Sequence, residues 1–94
     1  MANYFMFGKY SADALKGISA DRTEKATKLI KKYGGEIKSI HAFLGEIDLV
    51  IIATFPSTVQ AVKSSIALTK LTGIVFTTSE AIPVEDFDRM TLDL

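Results

Sequence analysis

The segment Asp48-Leu49-Val50-Ile51-Ile52-Ala53-Thr54 constrains this chain more than any other stretch. Its branched side chains favour extended backbone, and Gly45-Glu46 before it and Pro56-Ser57 after it mark its ends. Successive side chains of a strand point to opposite faces. Leu49, Ile51 and Ala53 then point one way, and Val50, Ile52 and Thr54 the other. Both sets are largely apolar. A strand with one face in water would alternate apolar with polar, so this one requires cover on both sides.

The remaining elements follow from similar punctuation. Tyr4 to Gly8 is aromatic and apolar and reads as a first strand, again apolar on both sides: Phe5 and Phe7 on one, Tyr4 and Met6 on the other. Ser11-Ala12-Asp13 begins a loop or one helical turn that Gly17 ends. Asp21 and Glu24 have the spacing of a capping box, and Ala26, Leu29, Ile30 and Tyr33 follow on one helical face. Lys25, Lys28, Lys31 and Lys32 take the opposite face, and Gly34-Gly35 supplies the left-handed stop. Ile37 to Leu44 reads as the second strand, joined by a Gly45-Glu46 turn to the third. Ser57 with Gln60 opens a second helix, whose buried face is expected to carry Val59, Val62, Ile66 and Thr69. Gly73 ends it, and Ile74 to Ala81 is the fourth strand. Pro83 is expected at the first position of a short docked helix, Val84 to Met90.

The order β-α-β-β-α-β is the split βαβ, ferredoxin-like plan, so the fold class is α+β over a single domain, residues 1–94. Four antiparallel strands carry two helices on one face, with the first and third strands in the middle. Two helices leave the second face bare. Because that face is apolar as well, two sheets are expected to pack together in a homodimer, a dimeric α+β barrel. Burying about 600 Å² of apolar surface per subunit at about 25 cal/mol/Å² is worth on the order of 15 kcal/mol before association costs. Higher homo-oligomers could instead grow through the edge strands, Ile37 to Leu44 and Ile74 to Ala81.

Charge and composition narrow the function classes. Eleven basic and eleven acidic groups cancel, which speaks against a generic coat for nucleic acid. The cancellation is uneven: residues 1–40 carry eight basic and four acidic groups, residues 41–94 three and seven. That asymmetry fits either two differently charged solvent faces or docking of one subunit on another. No cysteine is present, so disulfides and thiolate metal sites are excluded. No apolar run reaches membrane-spanning length and the N-terminus lacks a signal-peptide pattern, so the expectation is a cytoplasmic protein with no membrane partner.

Several segments resemble the GYD domain, a small family named for its Gly-x-Tyr-Asp hairpin. They are Tyr4-Phe5-Met6-Phe7-Gly8-Lys9-Tyr10-Ser11, Tyr33-Gly34-Gly35 and Gly45-Glu46-Ile47-Asp48, with Gly73 and Ala81 fitting as well. The resemblance implies a ferredoxin-like fold related to dimeric α+β-barrel proteins. The sequence departs from the pattern at Ile47, where the tyrosine would stand. Phe55-Pro56-Ser57-Thr58 replaces a more acidic segment, and Thr77-Thr78-Ser79-Glu80 lacks the expected arginine.

Few groups could do chemistry. A hairpin loop with an even number of residues pairs His41 with Val50 and Phe43 with Asp48. Ser39, His41, Asp48 and Thr54 then share the bare face with Ile37, Val50 and Ile52, whereas an odd loop would reverse the faces. His41, the one histidine, could act as a general base beside Asp48 in a subunit cleft, or be a plain interface histidine with Asp48 closing the turn. Ser39, His41, Thr54 and Tyr10 are the candidate ligand contacts, with Lys9 as an anion holder. One histidine and one carboxylate are too few for a metal site, and no cofactor is implied. The leading function is a homodimeric module binding a small molecule between the sheets. The alternative is a cofactor-independent enzyme, isomerase or oxygenase-like, acting on a small organic substrate in the same cleft.

Overall fold

A computed structural model describes all 94 residues. The elements are β1 (Ala2–Tyr10), α1 (Ala12–Lys16), α2 (Ala20–Lys32), β2 (Glu36–Ala42), β3 (Leu49–Phe55), α3 (Thr58–Thr72), β4 (Ile74–Ala81) and α4 (Val84–Met90). The strands form one antiparallel sheet in the order β2-β3-β1-β4. This is the ferredoxin-like arrangement, with the two most apolar strands in the middle.

One face of the sheet lies under α2 and α3. Tyr4 and Met6 of β1 and Ile51, Ala53 and Phe55 of β3 pack against Ile30 of α2 and Ala61 and Leu68 of α3. The Tyr4 ring meets Phe55 edge-on with centroids 5.7 Å apart. Its hydroxyl shares a hydrogen bond with the Thr58 hydroxyl at 3.0 Å and donates to the Glu80 carboxylate at 3.3 Å. A buried phenol is thus anchored at its polar tip.

Helix α2 starts earlier than the Asp21–Glu24 spacing suggests. Ser19, in extended backbone, is the N-cap, and its Oγ accepts from the Arg22 N–H at 3.0 Å. Asp21 and Glu24 instead reach forward to Lys25 and Lys28, each at 3.2 Å and one helical turn on. At the other end Gly34 has φ 80° and lets the chain turn back. Gly35 is required by space: a Cβ there would lie 2.5 Å from Phe55 Cε1 and 2.8 Å from Ile30 Cγ2.

Helix α3 inverts the expected face. Ser57 caps it as anticipated, accepting from the Gln60 N–H at 3.4 Å. However, the residues it buries are Ala61, Ser64 and Leu68, while Val59, Val62 and Ile66 point outward. Small side chains let the helix lie close to the sheet, where Ser65 Oγ and Thr78 Oγ1 are 2.6 Å apart in a hydrogen bond. Larger Val and Ile would hold it off.

Two further details differ from expectation. The β2–β3 register shifts between Ile37 and Ser39, a bulge that turns Ile37 onto the covered face, opposite Ala53. Pro83 is the N-cap of α4, not its first residue, and α4 buries no side chain, so it is not docked.

Candidate functional site

The second face of the sheet carries no helix and is laid out in rows. The hairpin loop spans residues 44–47, closed where the Phe43 N–H donates to the Asp48 carbonyl at 2.8 Å. This even-numbered loop sets His41 opposite Val50, Val50 opposite Phe7, and Phe7 opposite Thr77. The next row is Ser39, Ile52, Phe5 and Ser79, and the one after it Glu36, Thr54, Asn3 and Ala81. Val50, Phe7, Ile52 and Phe5 thereby form an apolar centre, with the Phe5 and Phe7 rings 6.1 Å apart. Hydroxyl and imidazole groups border it on both edge strands: Ser39 and His41 on β2, Thr77 and Ser79 on β4.

Asp48 holds one end of this face together. Its Oδ2 accepts from the Tyr10 N–H at 2.9 Å and lies 3.6 Å from Lys9 Nζ. Its own N–H donates to the Gly8 carbonyl at 2.9 Å. The carboxylate therefore extends the β1–β3 ladder beyond its last strand pair and clamps the hairpin to β1. His41 stands on β2, on the far side of Val50, and no hydrogen bond joins it to Asp48. Beside the clamp a shallow groove runs between Phe7, Lys9, Glu46, Ile47, Val75 and Thr77.

The other end of the face holds an unspent polar group. Thr54 is 8% exposed, and its Oγ1 is covered and makes no hydrogen bond. A buried hydroxyl without a partner is costly, so its retention needs a reason.

Ser39, His41 and Thr54 thus share the open face, but Tyr10 does not join them. Tyr10 pairs with Ile74 and faces the helices, where the Arg22 guanidinium lies 5.6 Å above its ring. Arg22 also donates to the Ala14 carbonyl. Beneath this pair a cavity of about 50 Å³ is lined by Ala26, Ile51, Leu68 and Phe76 among others. It has room for a water molecule or two, against the hundreds of Å³ an organic ligand needs. No three His, Cys, Asp or Glu side chains gather where they could hold a metal ion, and no helix is long and apolar enough to cross a membrane.

Sequence reasoning missed Asn3, Thr77 and Ser79 as part of the frame. The signal was present in β4, where Val75, Thr77 and Ser79 alternate with Ile74, Phe76 and Thr78.

The fold is shared with solved structures. The crystal structure of the leucine response regulatory protein LrpA of Mycobacterium tuberculosis matches with a TM-score of 0.58 at 10% identity. The match covers 87% of this chain and 51% of LrpA, so this chain spans about half of that protein's length. No curated protein matches the sequence. The GYD domain model matches residues 4–91, the stretch that includes the first strand, the Tyr33-Gly34-Gly35 turn and the Asp48 clamp. The chain belongs to the GYD domain family.

Proposed function

We propose that two copies of this chain pack their open sheet faces together as a dimeric α+β barrel. A small organic molecule binds between the sheets, and a cytoplasmic location belongs to the same reading. One observation carries it: Phe5, Phe7 and Ile52, each partly exposed, surround the buried Val50 in a contiguous apolar centre on the face away from α2 and α3. Such patches on small domains mark contact surfaces. The polar border of Ser39, His41, Thr77 and Ser79 would face the same border of the second copy and give a bound molecule its orienting contacts.

The enzyme alternative has less support. A general base in this cleft would be His41 or Asp48, and Asp48 is already engaged by the Tyr10 N–H and Lys9. His41 has no carboxylate to orient it.

Light scattering tests the dimer. In about 500 mM salt, which screens contacts between surface charges, the expected mass at low micromolar concentration is twice 10.3 kDa, and Phe7→Lys should reduce it to the single-chain value. A single-chain mass for the unaltered protein at every concentration would overturn the reading. Electron density tests the ligand. A bound molecule touching Ser39 or His41 between two sheets supports binding, and an interface filled wholly by side chains removes it.

A further inference from the structure

We infer that the C-terminal helix α4 is a docking arm for the outer surface of α2 and α3 on a second copy of this chain. The arm buries none of its residues. Val84, Phe87 and Met90 recur every third position and form one apolar side, exposed by 63%, 53% and 60%. Its charges are acidic. Asp86 pairs with Arg89, which leaves Glu85 and Asp88 without a basic partner.

The receiving surface has the opposite character. Helix α3 has no acidic residue, and the inverted face leaves Val62 and Ile66 outward. One groove runs past Tyr33, Lys63, Ile66, Ala67 and Lys70. A second runs along Lys25, Lys28, Leu29, Lys32 and Leu71. Lys25 and Lys28 are paired with Asp21 and Glu24 of their own helix, so the free positive charge of the rim is that of Lys32, Lys63 and Lys70, which have no carboxylate partner. An apolar floor with a basic rim thus matches an apolar stripe with acidic flanks, the pattern of a helix laid in a groove. The open sheet face does not offer this match, because its lysine at one end is already paired with Asp48, and Glu36 on its β2 edge with Lys38.

The arm's own chain is not its partner. Only Ile82 and Pro83 separate β4 from α4, and Pro83 is extended at φ −55° and ψ 139°. That link is short and stiff, α4 buries none of its residues against its own chain, and the molecule reaches 50 Å along its longest axis. Reciprocal docking between two copies would use each arm and each groove once, which closes the assembly.

Charge reversal on the full chain tests this, read by native mass and sedimentation. At about 50 mM salt the unaltered protein should form a species of twice the mass formed by Glu85→Lys with Asp88→Lys, and at about 500 mM salt that association should weaken about tenfold. Lys63→Glu with Lys70→Glu should cause the same loss. Mixing the two reversed variants should restore the larger species, since each arm then meets a groove of opposite sign. Equal masses for the unaltered protein and both variants would overturn the inference, and so would a mixture that stays dissociated. None of the four residues is buried, so folding is retained, and circular dichroism verifies it. Phe7→Lys separates this contact from the sheet dimer: it should halve the basic unit yet leave the arm-dependent doubling in place.

Discussion

The two faces of the sheet are made from the same four strands and nearly the same side-chain types, yet they end in opposite states. Under the helices, Phe55, Met6, Ile30 and Leu68 are fully buried, and the polar tip of Tyr4 has its partners. On the other side, Phe5, Phe7 and Ile52 remain partly exposed, and Thr54 Oγ1 is without a hydrogen bond. The covered face is fully packed within one chain, with Ser64 Oγ its one buried hydroxyl without a hydrogen bond, so it sets the stability of the fold. The open face has partly exposed apolar side chains in one chain, and in the proposed dimer it is these that would meet the second copy.

Phe55 and Phe5 give the largest contrast. Phe55→Ala should cost about 3–5 kcal/mol, because it removes a fully buried ring and leaves a cavity. That loss should be the same at every protein concentration in guanidinium unfolding. Phe5→Ala should cost the single chain less, about 1–2 kcal/mol, since its ring is only partly buried there. Its larger effect should be to remove the concentration dependence of the unfolding midpoint. Equal, concentration-independent losses would mean that the two faces do not differ in role.

Gly35→Ala should rank next. The added methyl would press on Phe55 and Ile30, and both are fully buried, so neither can give way cheaply. Overpacking of this kind costs about 1–3 kcal/mol. The same change at Gly45, where a Cβ meets nothing within 4 Å, would test backbone strain alone, because φ there is 152°. Midpoints of thermal unfolding distinguish the two: crowding at Gly35 should outweigh strain at an exposed loop.

The strand order and the bare apolar face were legible because both rest on local signals. Glycine, proline and capping serines mark the turns, and alternation within β1 and β3 shows apolar side chains on both sides. The helix faces were less legible. In α3, Val59, Val62 and Ile66 give the stronger apolar stripe, yet Ala61 and Ser64 win because close approach to the sheet favours small volume over hydrophobicity. The bulge that moved Ile37 left no trace in composition, since a register shift costs one residue and changes no residue type. In α2, Asp21 with Glu24 imitated a cap that Ser19 provides two residues earlier. Of the candidate site, Ser39, His41 and Thr54 followed from pairing parity. Tyr10 did not, because β1 runs from Ala2 to Tyr10, two residues beyond the expected strand at each end, and carries Tyr10 onto the helix side.

The smallest expected effects compare two hydroxyls. Tyr4→Phe removes one with partners, Thr58 and Glu80, and should cost about 1 kcal/mol in urea unfolding. Thr54→Val removes one without any, keeps the branched shape that suits β3, and exchanges a buried polar atom for a methyl. An unsatisfied buried hydroxyl already bears its desolvation cost, so this change should be neutral or stabilise the single chain by about 1 kcal/mol. Measured across a range of protein concentrations, Thr54→Val also reads the open face directly. A gain that is constant with concentration means that the hydroxyl has no partner in solution either. A loss that grows with concentration places its missing partner on the second sheet, where the two faces of this domain would finally become alike.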